Sequence, residues 1–180
     1  METPNEITPN EAIAQEAQPV IDQEKLNVYM EIQKLDQNFP MALMAGLLAA
    51  LVGAIAWAAV SVTTGYQIGY MAIGIGLLVS YAVRYFGKGF DQIFGITGAA
   101  LALLSCLMGN LFSIIGFAAQ VEGMGYSQIF SILNFSLVTD LMIDSFSPMD
   151  LLFYGLAAYE GYKFSFRKLT EEEILANGTK

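Results

Sequence analysis

Residues 40–62 form an apolar run without a single charged residue, and this run narrows most what the chain can become. About 20 such residues suffice to cross the hydrocarbon core of a bilayer as a helix, whose backbone satisfies its own hydrogen bonds there. Asn38 supplies a capping side chain ahead of it, and Pro40 stands where a first helical turn tolerates proline. A second run covers residues 68–86, with Arg84 near its end; a third covers 93–119, with Asn110 as its most polar member. The fourth, residues 149–166, is interrupted by Glu160 and Lys163. The chain reads as all-α, a polytopic membrane protein with four transmembrane helices.

Residues 126–144 are apolar enough to be taken for a fifth span, but that would put the basic C-terminal segment on the opposite side from the other basic segments. Their polar residues also fall into two stripes, Ser127, Ser131 and Asn134 against Ser136, Asp140 and Asp144. The stretch therefore reads as two short interfacial or re-entrant helices, which need protein cover at membrane depth.

The basic residues orient the spans. Lys25 and Lys34 precede the first; Arg84 and Lys88 lie between the second and third; Lys163, Arg167, Lys168 and Lys180 follow or close the fourth. Residues 61–83 and 89–162 contain no Lys or Arg. Basic residues favour the cytoplasmic side, so the N-terminus, the 87–92 turn and the C-terminus are expected in the cytoplasm.

Composition adds a constraint. Hydrophobic residues make up 55% of the chain and charged residues 14%, yet the net charge is -9. Acidity and hydrophobicity must occupy different segments, which excludes an evenly patterned globule and a basic nucleic-acid binder. Residues 1–20 are rich in Glu, Pro, Asn and Gln and read as an acidic disordered arm. They lack the basic start and apolar core of a signal peptide. Residues 21–39 carry Ile21, Val28 and Leu35 seven apart, with Ile32 and Phe39 in an offset series. This is an amphipathic juxtamembrane helix, lying on the membrane or pairing as a short coil. Residues 169–180 read as an acidic tail.

The inventory excludes much chemistry. Without histidine there is no imidazole zinc site and no Ser-His-Asp triad. The lone Cys106, in a run of Leu and Ala, reads as a small buried hydrophobe. No GxxxxGK[ST], GxSxG or HExxH motif occurs. No catalytic residue, metal ligand or cofactor is expected.

Two patterns remain. Small residues recur at helix-packing intervals: Ala42, Gly46, Ala50 and Gly53 in the first span, Gly65 and Gly69 opening the second, Gly98, Ala102, Gly109, Ser113 and Gly116 in the third. They serve compact packing within one subunit or a homo-oligomer. Ionisable and amide groups inside spans are the candidate functional residues: Arg84, Asn110, Glu160 and Lys163. Glu160 can pair with Lys163 three residues on, or with Arg84 across helices; both basic side chains can also snorkel to the interface. Asn110 can hydrogen-bond a neighbouring helix. Asp140, Asp144 and Asp150 could gather around a divalent cation.

The core resembles an uncharacterised family of small bacterial membrane proteins with about four spanning helices. The resemblance rests on Gly65-Tyr66-Gln67-Ile68-Gly69-Tyr70-Met71-Ala72, on Ala82-Val83-Arg84 with Gly87-Lys88-Gly89, on Phe94-Gly95-Ile96-Thr97-Gly98-Ala99, on Asp150-Leu151-Leu152-Phe153-Tyr154-Gly155 and on Tyr159-Glu160-Gly161-Tyr162-Lys163. It covers roughly residues 40–168 and implies a bacterial inner-membrane location without assigning any residue a role. Three function classes stay open: a non-enzymatic scaffold that binds a cytoplasmic protein through residues 1–39, a small oligomeric transporter or channel using Arg84, Asn110 and Glu160, and a membrane enzyme with a carboxylate site.

Overall fold

The structure, a computed structural model, describes residues 22–66, 69–132 and 134–178. All regular structure in them is helical: α1 (Gln23–Leu35), α2 (Phe39–Thr64), α3 (Met71–Gly87), α4 (Gln92–Glu122), α5 (Tyr126–Ile132), α6 (Phe135–Ser145), α7 (Pro148–Phe164) and α8 (Glu171–Gly178). The disordered arm expected over residues 1–20 lies outside the described residues. The chain divides into two compact units, one made of the segments up to Asp36 and from Lys168 onward, the other of Gln37–Arg167.

In the first unit α1 packs against α8. Asp22 caps α1 by accepting the N–H of Glu24 at 3.1 Å. The C-terminal segment is not merely an acidic tail. The Thr170 N–H donates to the Glu173 carboxylate at 3.0 Å and the Glu173 N–H donates back to Thr170 Oγ1 at 3.3 Å, a capping box. Glu171, Glu172 and Glu173 then fill the first turn, where the helix dipole favours negative charge. The heptad stripe of α1 is not its packed face either: Val28, Ile32 and Leu35 are 52%, 57% and 85% exposed, while Leu26, Tyr29 and Met30 are half-buried. A helix as short as α8, with eight residues, covers only one narrow side of α1.

In the second unit α2, α3, α4 and α7 form a bundle. Both α2 and α7 pack on α3 and α4, and α3 packs on α4. Helices α2 and α4 run in the same direction, since Gly46 meets Leu101, Gly53 meets Ser105, Trp57 meets Gly109 and Val62 meets Gly116. Size is sorted across α2: Ala42, Gly46, Ala50, Gly53 and Ala54 face inward, while Met44, Leu47, Leu48, Leu51, Val52 and Ile55 are exposed. Small inward residues bring helix backbones close enough for Ser105 Oγ on α4 to donate to the Ala50 carbonyl at 2.7 Å. Interior positions are filled by Ile75, Val79, Val83, Phe94 and Leu101.

One end of the bundle, the near end, is fastened by hydrogen bonds between three segments. The Asn38 N–H donates to the Gly87 carbonyl at 2.9 Å and the Arg167 N–H to the Gly89 carbonyl at 2.8 Å. Gln37 Oε1 accepts the N–H of Phe90 at 3.1 Å, and its Nε2 donates to the Asp91 carboxylate at 3.1 Å. The Arg167 guanidinium lies 5.7 Å from the Phe90 ring centre. Asn38 caps α2 through the Met41 N–H at 3.0 Å.

The opposite, far end holds the turn after α2 and the start of α7, where Tyr70 meets Phe153 edge-on at 5.4 Å. Here α5 and α6 lie against α4. Asn134 caps α6, and Ser147 with Asp150 forms a capping box for α7.

Two helices, α2 and α4, are long and apolar enough to cross a membrane. With 17 residues each, α3 and α7 rise about 26 Å, somewhat less than the ~30 Å hydrocarbon core.

Candidate functional site

Polar chemistry within the bundle concentrates at two levels. The first lies toward the near end, around Glu160 on α7. A Cβ on Gly76 of α3 would stand 2.9 Å from the Ala157 carbonyl oxygen and 3.3 Å from Glu160 Cβ. Glycine there lets the two helices touch, and the Glu160 stem lies in the contact. Its Oε2 is buried without a hydrogen-bond partner.

Neither expected ion pair is formed. Lys163 turns to its own helix, donating from Nζ to the Tyr159 hydroxyl at 3.0 Å, with the ammonium 5.2 Å from the Tyr159 ring centre. Arg84 does not reach Glu160 because of helix register. Tyr81 stacks on Phe164 at 6.3 Å, which sets Arg84 one turn beyond Phe164 along the parallel α3–α7 pair. Glu160 lies one turn short of Phe164, so the two charges sit at different depths.

The second level lies toward the far end and draws on α2, α4 and α7. Asn110 is 3% exposed, and its side chain lies beside that of Tyr154. The Tyr154 ring meets Trp57 edge-on at 6.5 Å. Trp57 fits because residue 109 is glycine: a Cβ there would stand 3.0 Å from Trp57 Cβ. One turn beyond Trp57 on α2 is Ser61, fully buried, and facing this region from α4 is Ser113, whose hydroxyl donates to the Gly109 carbonyl at 2.7 Å. Trp57 Nε1 and Ser61 Oγ are buried with no hydrogen-bond partner.

The four sequence candidates are therefore not brought into one site. Asn110 belongs to the far-end level, Glu160 and Lys163 to the near-end one, and Arg84 lies at the last turn of α3. A groove of about 400 Å³ is lined by Ile55, Ala58, Val62, Phe112 and Tyr126 among others, and one of about 290 Å³ by Leu47, Leu51, Leu104 and Met108 among others. Neither includes Arg84, Asn110 or Glu160.

Sequence reasoning missed Trp57, Ser61 and Tyr154. The signal was present: Gly53, Trp57 and Ser61 continue at four-residue intervals the small-residue face that Ala42, Gly46 and Ala50 begin. Cys106 is buried in the core. Among the described residues no group of three or more His, Cys, Asp or Glu could hold a metal ion. Asp150, expected as a possible carboxylate ligand, instead accepts the Ser147 N–H at 2.8 Å. No family model, curated protein or solved structure matches the chain.

Proposed function

We propose that the chain is a four-span integral protein of the bacterial inner membrane, with both ends cytoplasmic, that acts as a non-enzymatic scaffold binding a protein partner through residues 1–39. The observation that carries the membrane reading is the size sorting over residues 42–55 of α2, with Ala42, Gly46, Ala50, Gly53 and Ala54 inward and Met44, Leu47, Leu48, Leu51, Val52 and Ile55 exposed. In water such a face would cost about 25 cal/mol per Å² of exposed apolar surface; in lipid it costs nothing, and small inward residues drive helix association.

The tyrosines agree with this reading. Tyr66 and Tyr70 are exposed at the far end, and Tyr81, Tyr85, Tyr159 and Tyr162 toward the near end, as two interfacial belts would require. The belts support α3 and α7 as spans despite their length, since Arg84 and Lys163 can snorkel and the bilayer can thin by a few ångströms. Orientation follows from the near end, where Arg84, Lys88 and Arg167 cluster on segments tied by hydrogen bonds.

The scaffold reading rests on what the bundle offers: Arg84, Asn110 and Glu160 lie at different depths and neither of the two grooves described includes them, whereas a transport path requires polar residues along one shared route. The transporter reading retains one favourable observation, the buried and unpartnered Glu160 Oε2 within a helix contact.

Topology is tested with single cysteines in a Cys106→Ser background and a membrane-impermeant maleimide. Lys88→Cys should react only from the cytoplasmic face and Ser127→Cys only from the opposite face; labelling of both from the same face removes the four-span reading. For the scaffold, purification in mild detergent should retain a defined protein that a chain lacking residues 1–35 loses while the bundle, with Gln37 and Asn38 kept, melts at an unchanged temperature. Equal retention by both chains removes it.

A further inference from the structure

Trp57 and Ser61 point to a site that the scaffold reading does not use. Both lie on the inward face of α2 one helical turn apart, 2% and 0% exposed. Each presents a polar atom, Nε1–H and Oγ, for which no protein atom provides a hydrogen bond. An indole N–H is a donor only, and a hydroxyl is both donor and acceptor, so the two cannot be satisfied by hydrocarbon. Buried polar groups of this kind are ordinarily completed by a water with two to four polar neighbours.

The surroundings supply such neighbours on three helices. Across from Trp57 and Ser61, α4 brings Asn110 and Ser113, and α7 brings Tyr154 against the indole. The same features limit what fits. The indole fills the space above Gly109, and its edge contact with Tyr154 closes the α7 side. The 400 Å³ groove beside Ala58 and Val62 is not lined by Trp57 or Ser61, so nothing opens this level to a larger solute from that groove.

We infer that the Trp57–Ser61 level of the bundle is an internal hydration site, holding ordered water that bridges the indole N–H and the Ser61 hydroxyl to the polar residues of α4 and α7. The class of ligand is water rather than an organic solute, because donors and acceptors converge where the indole, Gly109 and Tyr154 are in close contact, and neither groove described includes Trp57 or Ser61. Hydration at this level gives the upper bundle a polar joint, whereas Ser105 and Ser113 are already satisfied by backbone carbonyls.

Trp57 is the only tryptophan in the chain, so one indole signal reports on the site without assignment variants. The full chain, ¹⁵N-labelled at the indole and held in lipid nanodiscs, is examined by NMR for magnetisation transfer between the indole proton and water. The expected result is a water cross-peak in the native chain that falls several-fold in Ser61→Ala, together with a lower melting temperature for that variant. Absence of the cross-peak in the native chain overturns the inference. So does a cross-peak that Ser61→Ala leaves unchanged, which means that bulk water reaches the indole. A Ser61→Ala chain that melts higher than the native one overturns it as well, because deleting a merely unsatisfied hydroxyl is stabilising.

Discussion

The two ends of the bundle use glycine in opposite ways. At the near end glycines are places where chains touch. A Cβ on Gly98 would strike the Gly161 carbonyl and the Ser165 hydroxyl, and one on Gly161 would stand 2.7 Å from the Gly98 carbonyl oxygen. Gly95 lies under Phe166 and Tyr162, and Gly87 under Phe94 and Ala42. At the far end Gly65 and Gly123 face open space, and they close α2 and α4 because their φ angles of 74° and 63° disfavour a side chain. For Gly98 and Gly161 glycine is a matter of volume, for Gly65 and Gly123 of backbone torsion. The first pair therefore tolerates no added atom and the second tolerates atoms but not a different turn, while Gly69, under Phe153 at the far end, is again a contact glycine.

The sharpest test of this difference is Gly98→Val. Its branched side chain must be accommodated where two helix backbones cross, so a loss of about 3 kcal/mol or more is expected, at or beyond the upper end of overpacking costs. Thermal unfolding in detergent micelles should show a melting temperature far below native, or no folded protein at all; a near-native transition would mean that the α4–α7 crossing is not rigid. Gly161→Ala adds a single methyl at the same crossing and should cost about 1–3 kcal/mol in the same assay.

Next comes Gln37→Ala, which removes hydrogen bonds to Phe90, Asp91 and the turn they belong to. With the side chain half-exposed, about 1 kcal/mol is expected. Cleavage by added protease in the 87–92 turn should speed up in parallel; an unchanged rate would show that the backbone bonds of Asn38 and Arg167 hold the turn alone. At the far end Gly65→Ala should cost about 1 kcal/mol through its positive φ, and Gly65→Asn less. If Gly65→Ala proved as damaging as Gly98→Val, the contrast between volume and torsion would fail.

Helical character throughout was legible because a long apolar run can satisfy its backbone only within a helix. The Asn38 cap was legible too, since a capping side chain, a proline and an apolar run stood in consecutive order. Interactions set by register between distant segments were not. Arg84 and Glu160 share the same third of their helices in sequence, but the Tyr81–Phe164 stack fixes an offset that separates them. Lys163 found an aromatic hydroxyl four residues back instead of the carboxylate three residues back, a choice between two local partners that spacing cannot decide.

Helix α8 was overlooked despite its Thr170–Glu173 capping signal, because a run of three acids resembles a solvated tail until their place in the first turn is seen. The far-end polar level escaped notice for a different reason. Tryptophan and tyrosine in a membrane segment read as interfacial anchors, and that reading hid the four-residue spacing of Gly53, Trp57 and Ser61 that turns the indole inward, opposite Gly109.

The hydrogen bond from the Arg167 N–H to the Gly89 carbonyl has a consequence for the order in which the protein is made. A ribosome releases residue 89 long before residue 167, so the turn between α3 and α4 must wait, fastened only by Gln37 and Asn38, until α7 has emerged. The near end cannot lock during synthesis of the first three bundle helices. Full closure of the near end follows the emergence of Arg167, and a chain truncated anywhere before it would leave the turn held by Gln37 and Asn38 alone, open to quality-control proteases.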